Sequence, residues 1–487
     1  MTGAARKLVL PAFVLTETAS ADDAEAVEVR VPQSDRTEGA AYHVCPKRIA
    51  QTGERRDGKP TWVKHQFNRY PVVLDSDGVP WAEANIYILS RLEQTLAPSM
   101  DPYAAIAEDL ADYRQFLDET GLDWTSFPRD QQQRPTYRYS GHLKYALHAG
   151  EVAPGSAKRR MGTVLGLYRW LMSEGVLVPE NPPWRAGERF ITFKDVHGFK
   201  QSKTVVTSDI SIKTPVQQNP YDGCIVDGGT LRPLPPEEQE WLVEALIAAG
   251  NPEMTFIHLS SLRAGARIQT VLTLKVRHVL TDTTAMADAQ EIRIPVGPGT
   301  GVDTKYDKRQ VLHFPVSLYR QLQAYARSTR AKKRRERAVG GDTVDQYLFL
   351  SAKGAPLYYS KEDNRAFDPL NKLRHAKKGG AVRQFITEHV IPYVQAKHAP
   401  RFHYKVHDLR ATFGMNLTDH QLKLVASGDV TLHQAREFVK TRMGHASAAT
   451  TDRYLQYRDN LKLVRHTADG YADHLTELGA RVLQGVL

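Results

Sequence analysis

Three helical patterns in the C-terminal part of this chain each carry a side chain suited to chemistry, which strongly limits how the region can fold. In the run VHDLRATFGMNL, Leu409, Phe413 and Leu417 would anchor a helix, and His407 and Arg410 then fall on one face, one turn apart. A second helix is expected over 432–443, where Gly444 can take the left-handed turn that stops it and His445 begins the next segment. A third, short helix follows, with Thr450 and Thr451 near its start and Tyr454 and Tyr457 on it. Each feature has a plain explanation when taken alone. His-x-x-Arg makes surface ion pairs, a turn histidine is satisfied locally, and a tyrosine in DRYLQY packs in a core.

Together these residues have the makings of a phosphoryl-transfer site. Such chemistry needs an in-line nucleophile, a proton for the leaving oxygen, and positive charge on the non-bridging oxygens. A metal ion can supply that charge. His403 and His407 have helix-compatible spacing and His398 is near, but no adjacent Glu or Cys completes a zinc set. Arginine can supply it instead, since the guanidinium is always charged and forks onto two phosphate oxygens. Net charge is +10, which favours a polyanionic partner such as nucleic acid.

The order His407-x-x-Arg410, Gly444-His445, Thr450-Thr451-x-x-Tyr454 closely resembles the C-terminal signature of the tyrosine recombinase (phage integrase) family. The resemblance implies two further residues upstream. The first, an arginine in a Gly-x-Arg helix–turn context, is met by Arg267 in Gly265-Ala266-Arg267-Ile268, with Arg263 as competitor. Thr270 stands where the family often has Glu. The second is a lysine on a β-hairpin. Lys305 matches it best and Lys308 is the alternative, while Leu312 replaces a frequent Pro.

The resemblance implies these roles. Tyr454 attacks a DNA phosphate to form a 3′-phosphotyrosyl bond, and Arg267 and Arg410 clamp the phosphate. His407 accepts the tyrosine proton, Lys305 protonates the leaving 5′ oxygen, and His445 bonds a non-bridging oxygen. No cofactor and no metal are implied. The expected fold is mainly α with a small β-sheet or hairpin. In that picture a helical core-binding domain and the catalytic domain form a C-shaped clamp on DNA.

Along the 487 residues the expected organisation has five parts. Residues 1–95 are mixed, with strands near Val27–Val31 and Tyr42–Val44 and an unread role. Residues 96–200 are helical, opening on an Asp101-Pro102 cap, and resemble a core-type DNA-binding domain. Residues 201–232 read as a polar linker. Residues 233–465 hold the catalytic domain, with a helix from Pro235, a helix–turn–helix over 255–274, strands over 289–295 and 310–315, and a helix over 316–327. Residues 466–487 form a helical tail whose Leu475, Leu478, Val482 and Leu483 pack either on their own domain or on a neighbouring protomer. Candidate phosphate contacts are Arg159, Arg160 and Arg169 on the helical domain, and Lys332, Lys333, Arg334 and Arg335 in the densest basic run.

The chain has two cysteines, Cys45 and Cys224, so neither a four-cysteine zinc cluster nor a disulfide framework is implied. No stretch approaches the roughly 20 apolar residues of a membrane span. A cytoplasmic, nucleoid-associated protein of a prokaryote or phage is expected. Its activity would be site-specific recombination, for integration or excision of a mobile element. Implied partners are a double-stranded recombination site, three further copies in a homo-tetramer on synapsed DNA, and accessory directionality or architectural proteins. The alternatives are a type IB-like topoisomerase, a non-catalytic DNA-binding protein on the same fold, and a zinc hydrolase using His403 and His407.

Overall fold

The structure is a computed structural model that describes residues 3–30, 41–54, 60–93, 99–194, 200–213, 223–227, 229–288, 290–361, 363, 377–459, 474–477 and 480. The described residues up to 213 form one compact unit and those from 223 onward form another. Among them the chain is mainly helical, with six small antiparallel sheets.

In the first unit, β1 (Arg6–Val14) pairs antiparallel with β7 (Gln66–Leu74), from Arg6 opposite Leu74 to Val14 opposite Gln66. Between them lie β2 (Thr16–Thr18), β3 (Val27–Arg30) and β4 (Ala41–Pro46), in the order β2–β4–β3, and the hairpin of β5 (Arg48–Glu54) with β6 (Pro60–Lys64). Four helices follow: α1 (Ala82–Glu93), α2 (Met100–Thr120), α3 (Pro135–His148) and α4 (Pro154–Ser173). Phe67, Tyr70 and Val73 of β7 share one core with Leu110, Tyr113 and Leu117 of α2, Tyr139 and Leu143 of α3, and Val164 and Tyr168 of α4. The N-terminal strands therefore belong to the body that holds the helices. A buried hydrogen bond of 2.7 Å between the Tyr113 and Tyr168 hydroxyls ties α2 to α4.

Two local expectations shift. Helix α2 starts two residues earlier than its Asp-Pro pair implies, after Ser99. Asp101 lies inside the first turn, where an acid meets the positive helix end, and accepts a 3.0 Å bond from the Ser99 hydroxyl. Much of the stretch read as polar linker is structured. Strand β9 (Lys200–Ser208) pairs in a long hairpin with β8 (Ala186–Lys194), which lies at the end of the region expected to be helical, and Ile210 and Ile212 enter the core of the first unit.

The second unit opens with two short paired strands, β10 (Ile225–Val226) and β11 (Thr230–Leu231). Helix α5 (Pro236–Ala249) ends at Gly250, and α6 (Pro252–Ala264) ends at Gly265, after which α7 (Ile268–Leu272) begins. Strands β12 (Glu291–Val296) and β13 (Gln310–Pro315) form the expected hairpin, in register from Glu291 opposite Pro315 to Val296 opposite Gln310. Then come α8 (Val316–Arg327) and α9 (Thr329–Glu336). Helix α10 (Gly380–Phe385) runs through a π turn (Ile386–Val390) into α11 (Ile391–Lys397). Helices α12 (Asp408–Ala426), α13 (Leu432–Met443) and α14 (448–459) complete the unit.

The main core of this unit joins Leu242, Ile257, Leu272, Phe314, Leu322, Phe349, Val394 and Leu409. A smaller cluster of Ile225, Met415, Val439, Met443 and Tyr454 packs β10 against α12, α13 and α14. Among the described residues no helix is long and apolar enough to cross a membrane. Of the tail positions, Leu475 lies in the described residues and is 48% exposed, whereas Leu478, Val482 and Leu483 lie outside them.

Candidate active site

The site is assembled from helix ends. His407 directly precedes α12, and Arg410 lies in its first turn. Asp408 braces this turn: its carboxylate accepts the Lys405 N–H at 2.8 Å and the Arg232 N–H at 3.0 Å. Arg410 is 2% exposed, and its guanidinium bridges two glycine turns. One nitrogen donates to the Gly265 carbonyl at 2.5 Å and another to the Met443 carbonyl, the residue before Gly444. Burial and the Arg267 guanidinium push Arg410 down to about 10, so it remains cationic at neutral pH.

Both turns require glycine. Gly265 and Gly444 have φ of +63° and +60°. A Cβ on Gly265 would stand 2.4 Å from Phe413 Cδ1, and one on Gly444 would stand 2.8 Å from the side-chain oxygen of Gln310. The turn at Gly265 leads into Arg267, the residue preceding α7. Arg267 is half-buried, and its Nε has no hydrogen-bond partner among the described residues. Its competitor Arg263 is exposed, on the last turn of α6.

After Gly444, His445 is buried at 9% exposure. The tautomer that satisfies both ring nitrogens accepts the Thr451 hydroxyl at Nδ1 (3.0 Å) and donates from Nε2 to Asp227 Oδ2 (3.3 Å). Helix α14 is capped by Ser447, whose hydroxyl accepts the Ala449 N–H, rather than by the two threonines. Thr451 orients His445 instead. Tyr454 is fully buried, its ring stacked on His445 with centroids 5.7 Å apart, and its hydroxyl donates to Asp227 Oδ2 at 3.2 Å. Burial and the Asp227 carboxylate raise the phenol well above its usual range, against the pull of Arg410 and Arg267. Tyr457 lies half-buried among different neighbours, Cys224, Arg232 and Glu238.

His407 is pushed down to about 4, by burial first and then by the charges of Arg267 and Arg410. Its imidazole is therefore neutral at pH 7 and able to accept a proton. Lys305 acts on His407 through its charge in the same direction, which brings the hairpin lysine into the field of the site. Lys305 opens a short helical turn in which Tyr306 takes φ +62°, and its ammonium lies 5.1 Å from the centre of the Tyr306 ring. Lys308 is exposed, and its backbone carbonyl accepts the Thr304 hydroxyl at 2.7 Å.

One member of the cluster escapes sequence reasoning. Asp227, 6% exposed, follows β10 in the stretch read as linker. Its Oδ2 meets Tyr454, His445 and, at 3.7 Å, the Nε of Arg410. Burial opposes its ionisation, but His445, Arg410 and Arg267 outweigh that and hold the carboxyl well below the ordinary carboxylate range.

The histidines considered as metal ligands do not converge. His398 stacks on Trp241 and bonds Glu244 at 2.8 Å, while His403 is exposed. Among the described residues no three His, Cys, Asp or Glu side chains form a metal-sized group.

The basic side chains are largely engaged within the protein. Arg159 pairs with Asp109 at 2.9 Å, Arg160 with Asp112 at 2.7 Å, and Arg169 lies over the Trp184 ring. On α9, Lys332 and Lys333 are exposed, whereas Arg334 pairs with buried Glu253 at 3.1 Å. Arg335 is 4% exposed against Asp342, a structural cation rather than a surface phosphate contact, because α9 turns that face into the fold.

No family model matches the chain, and no curated protein matches it either. Solved structures overlap it loosely. XerH site-specific recombinase bound to difH substrate gives a TM-score of 0.43 at 13% identity, covering 77% of this chain and 86% of that one. The Tn1549 transposon integrase in complex with circular intermediate DNA gives 0.42 at 12%, covering 76% and 94%. A lambda integrase dimer bound to a COC′ core site gives 0.41 at 11%, covering 77% and 94%.

Proposed function

We propose that this protein is a tyrosine-type site-specific DNA recombinase that cuts and rejoins strands through a 3′-phosphotyrosyl bond on Tyr454. The observation that carries this is the convergence of Tyr454, His445 and Arg410 on one carboxylate oxygen, that of Asp227, in a pocket where Arg267 adds positive charge. A group of donors that gathers on one anionic oxygen can gather on a phosphate oxygen.

In the cleavage step, the Tyr454 oxygen attacks phosphorus and its proton passes to neutral His407. The bond from phosphorus to the 5′ oxygen breaks, and that oxygen takes a proton from Lys305. Arg267 and Arg410 hold the non-bridging oxygens, and His445 donates to one of them through Nε2, the nitrogen that now faces Asp227. The incoming phosphate charge raises the affinity of His407 for a proton at the moment it is needed. In the second step the 5′-hydroxyl of another strand attacks the phosphotyrosine, and Tyr454 leaves. The bond energy stays in the protein–DNA link throughout, so neither ATP nor a cofactor is required. The substrate would be a recombination site on duplex DNA, held in a synapse of four copies, and the biological setting integration or excision of a mobile element.

A supercoiled plasmid carrying two copies of the DNA that borders the gene tests this reading. Recombined circles that persist in a chelator are expected. Relaxation without strand exchange would point to a topoisomerase, and loss of activity in the chelator would point to a metal-dependent hydrolase.

A further inference from the structure

Asp227 is placed where a substrate oxygen would be expected. A single carboxylate oxygen receives the phenol of the nucleophile, the Nε2 proton of His445, and the field of Arg410 at 3.7 Å. These groups would otherwise meet a phosphodiester. The cradle is larger than the carboxylate that fills it. Nε of Arg410, on a side chain 2% exposed, and Nε of Arg267 are both buried without a hydrogen-bond partner among the described residues. Two orphaned guanidinium donors beside a carboxylate match an anion with more oxygens than a carboxylate offers.

The turn carrying Asp227 is fastened to the same helices. Arg453 of α14 donates to the Val226 carbonyl at 2.5 Å, Ile225 packs with Met415, Val439, Met443 and Tyr454, and the Leu234 N–H donates to Thr412 at 2.9 Å. Tyr454 is meanwhile fully buried, and so out of reach of a DNA backbone.

We propose that Asp227 is a built-in phosphate mimic: its carboxylate occupies the place of the scissile phosphate and holds Tyr454 in a buried, inactive position until a DNA phosphate displaces it. This rests on the recombinase reading for the identity of the displacing anion. The chemistry is an exchange of one anion for another. The carboxylate leaves the cradle as phosphate enters, and the cluster never holds two positive guanidiniums without a counter-anion. Like charges so close repel strongly, so the two anions cannot share the pocket. The turn stays anchored, and only the Asp227 side chain needs to swing away.

The test uses the full chain, inorganic phosphate as probe, and nicked DNA of the gene's borders. Asp227→Asn should lower the melting temperature in phosphate-free buffer, because Arg410 loses its counter-charge. Millimolar phosphate should restore it, while barely shifting wild type. The variant should bind phosphate at least roughly tenfold more tightly than wild type, as expected when a competing charge is removed. It should also form covalent DNA adduct faster at low DNA concentration. If Asp227→Asn does not fold, Asp227→Ser takes its place in the same titration. Failure of phosphate to stabilise either variant overturns the proposal, as does equal phosphate affinity in variant and wild type. Phosphate rescue without adduct in any variant would leave the anion exchange standing and overturn the recombinase reading. Adduct formation by wild type with no phosphate effect would do the reverse.

Discussion

Gly414 on α12 faces the ring of Tyr454 so closely that a Cβ there would stand 2.6 Å from Tyr454 Cε1 and 2.8 Å from Met443 Cε. Gly414 has ordinary helical geometry, so the missing Cβ serves the approach of the ring rather than a backbone need. Gly414→Ala should therefore act by expelling Tyr454. Overpacking of this kind costs about 1–3 kcal/mol, and the better helix propensity of Ala offsets up to about 1 kcal/mol of it. Urea unfolding should show the net loss of stability.

Arg410 holds the carbonyls of Gly265 and Met443 together from the inside. Arg410→Lys keeps the charge but cannot reach both turns with a planar fork. Breaking such a buried charged bridge is expected to cost about 3–5 kcal/mol. Thermal unfolding of Arg410→Lys and Arg410→Ala should place both well below wild type.

His407 makes a signed pH prediction. Its pKa is depressed in the folded state, to about 4, from an ordinary value near 6.5. The neutral form is thus favoured by folding. The associated stability is fully present above about pH 6.5 and is lost as pH falls towards 4. At pH 5 the loss has an upper bound of about 2 kcal/mol, reduced by whatever solvent reaches the half-buried ring. Buried His258, also pushed down to about 4 by desolvation, loses stability over the same window. Comparing wild type with His407→Gln removes the His258 contribution. Denaturant unfolding at pH 7 and pH 5 should show a smaller acid loss in the variant, and an equal loss would contradict the assigned burial.

Much of the site could be read in advance because its residues lie at the ends of strongly patterned helices. The limits of α13, the turn at Gly444 and the β12–β13 hairpin follow from periodicity and turn chemistry, whereas Arg267 is singled out by the family resemblance and its Gly-x-Arg context. Asp227 was not legible. It follows a two-residue strand with no period to detect, and its partners lie more than 180 residues away. Strand β7 was hidden for the opposite reason. It is buried almost continuously, so the alternation that marks a half-exposed strand is missing. Arg335 shows the limit of charge counting, since a basic run looks the same whether its face meets solvent or Asp342.

The central claim is that Tyr454 is the nucleophile, and a trapped covalent intermediate tests it most directly. The full chain is incubated with nicked DNA from the gene's borders, designed so that the cleaved end is lost and religation fails. A protein–DNA adduct is predicted for wild type, with the linked peptide mapping to Tyr454, and for Tyr457→Phe, but not for Tyr454→Phe. An adduct that persists in Tyr454→Phe would contradict the account.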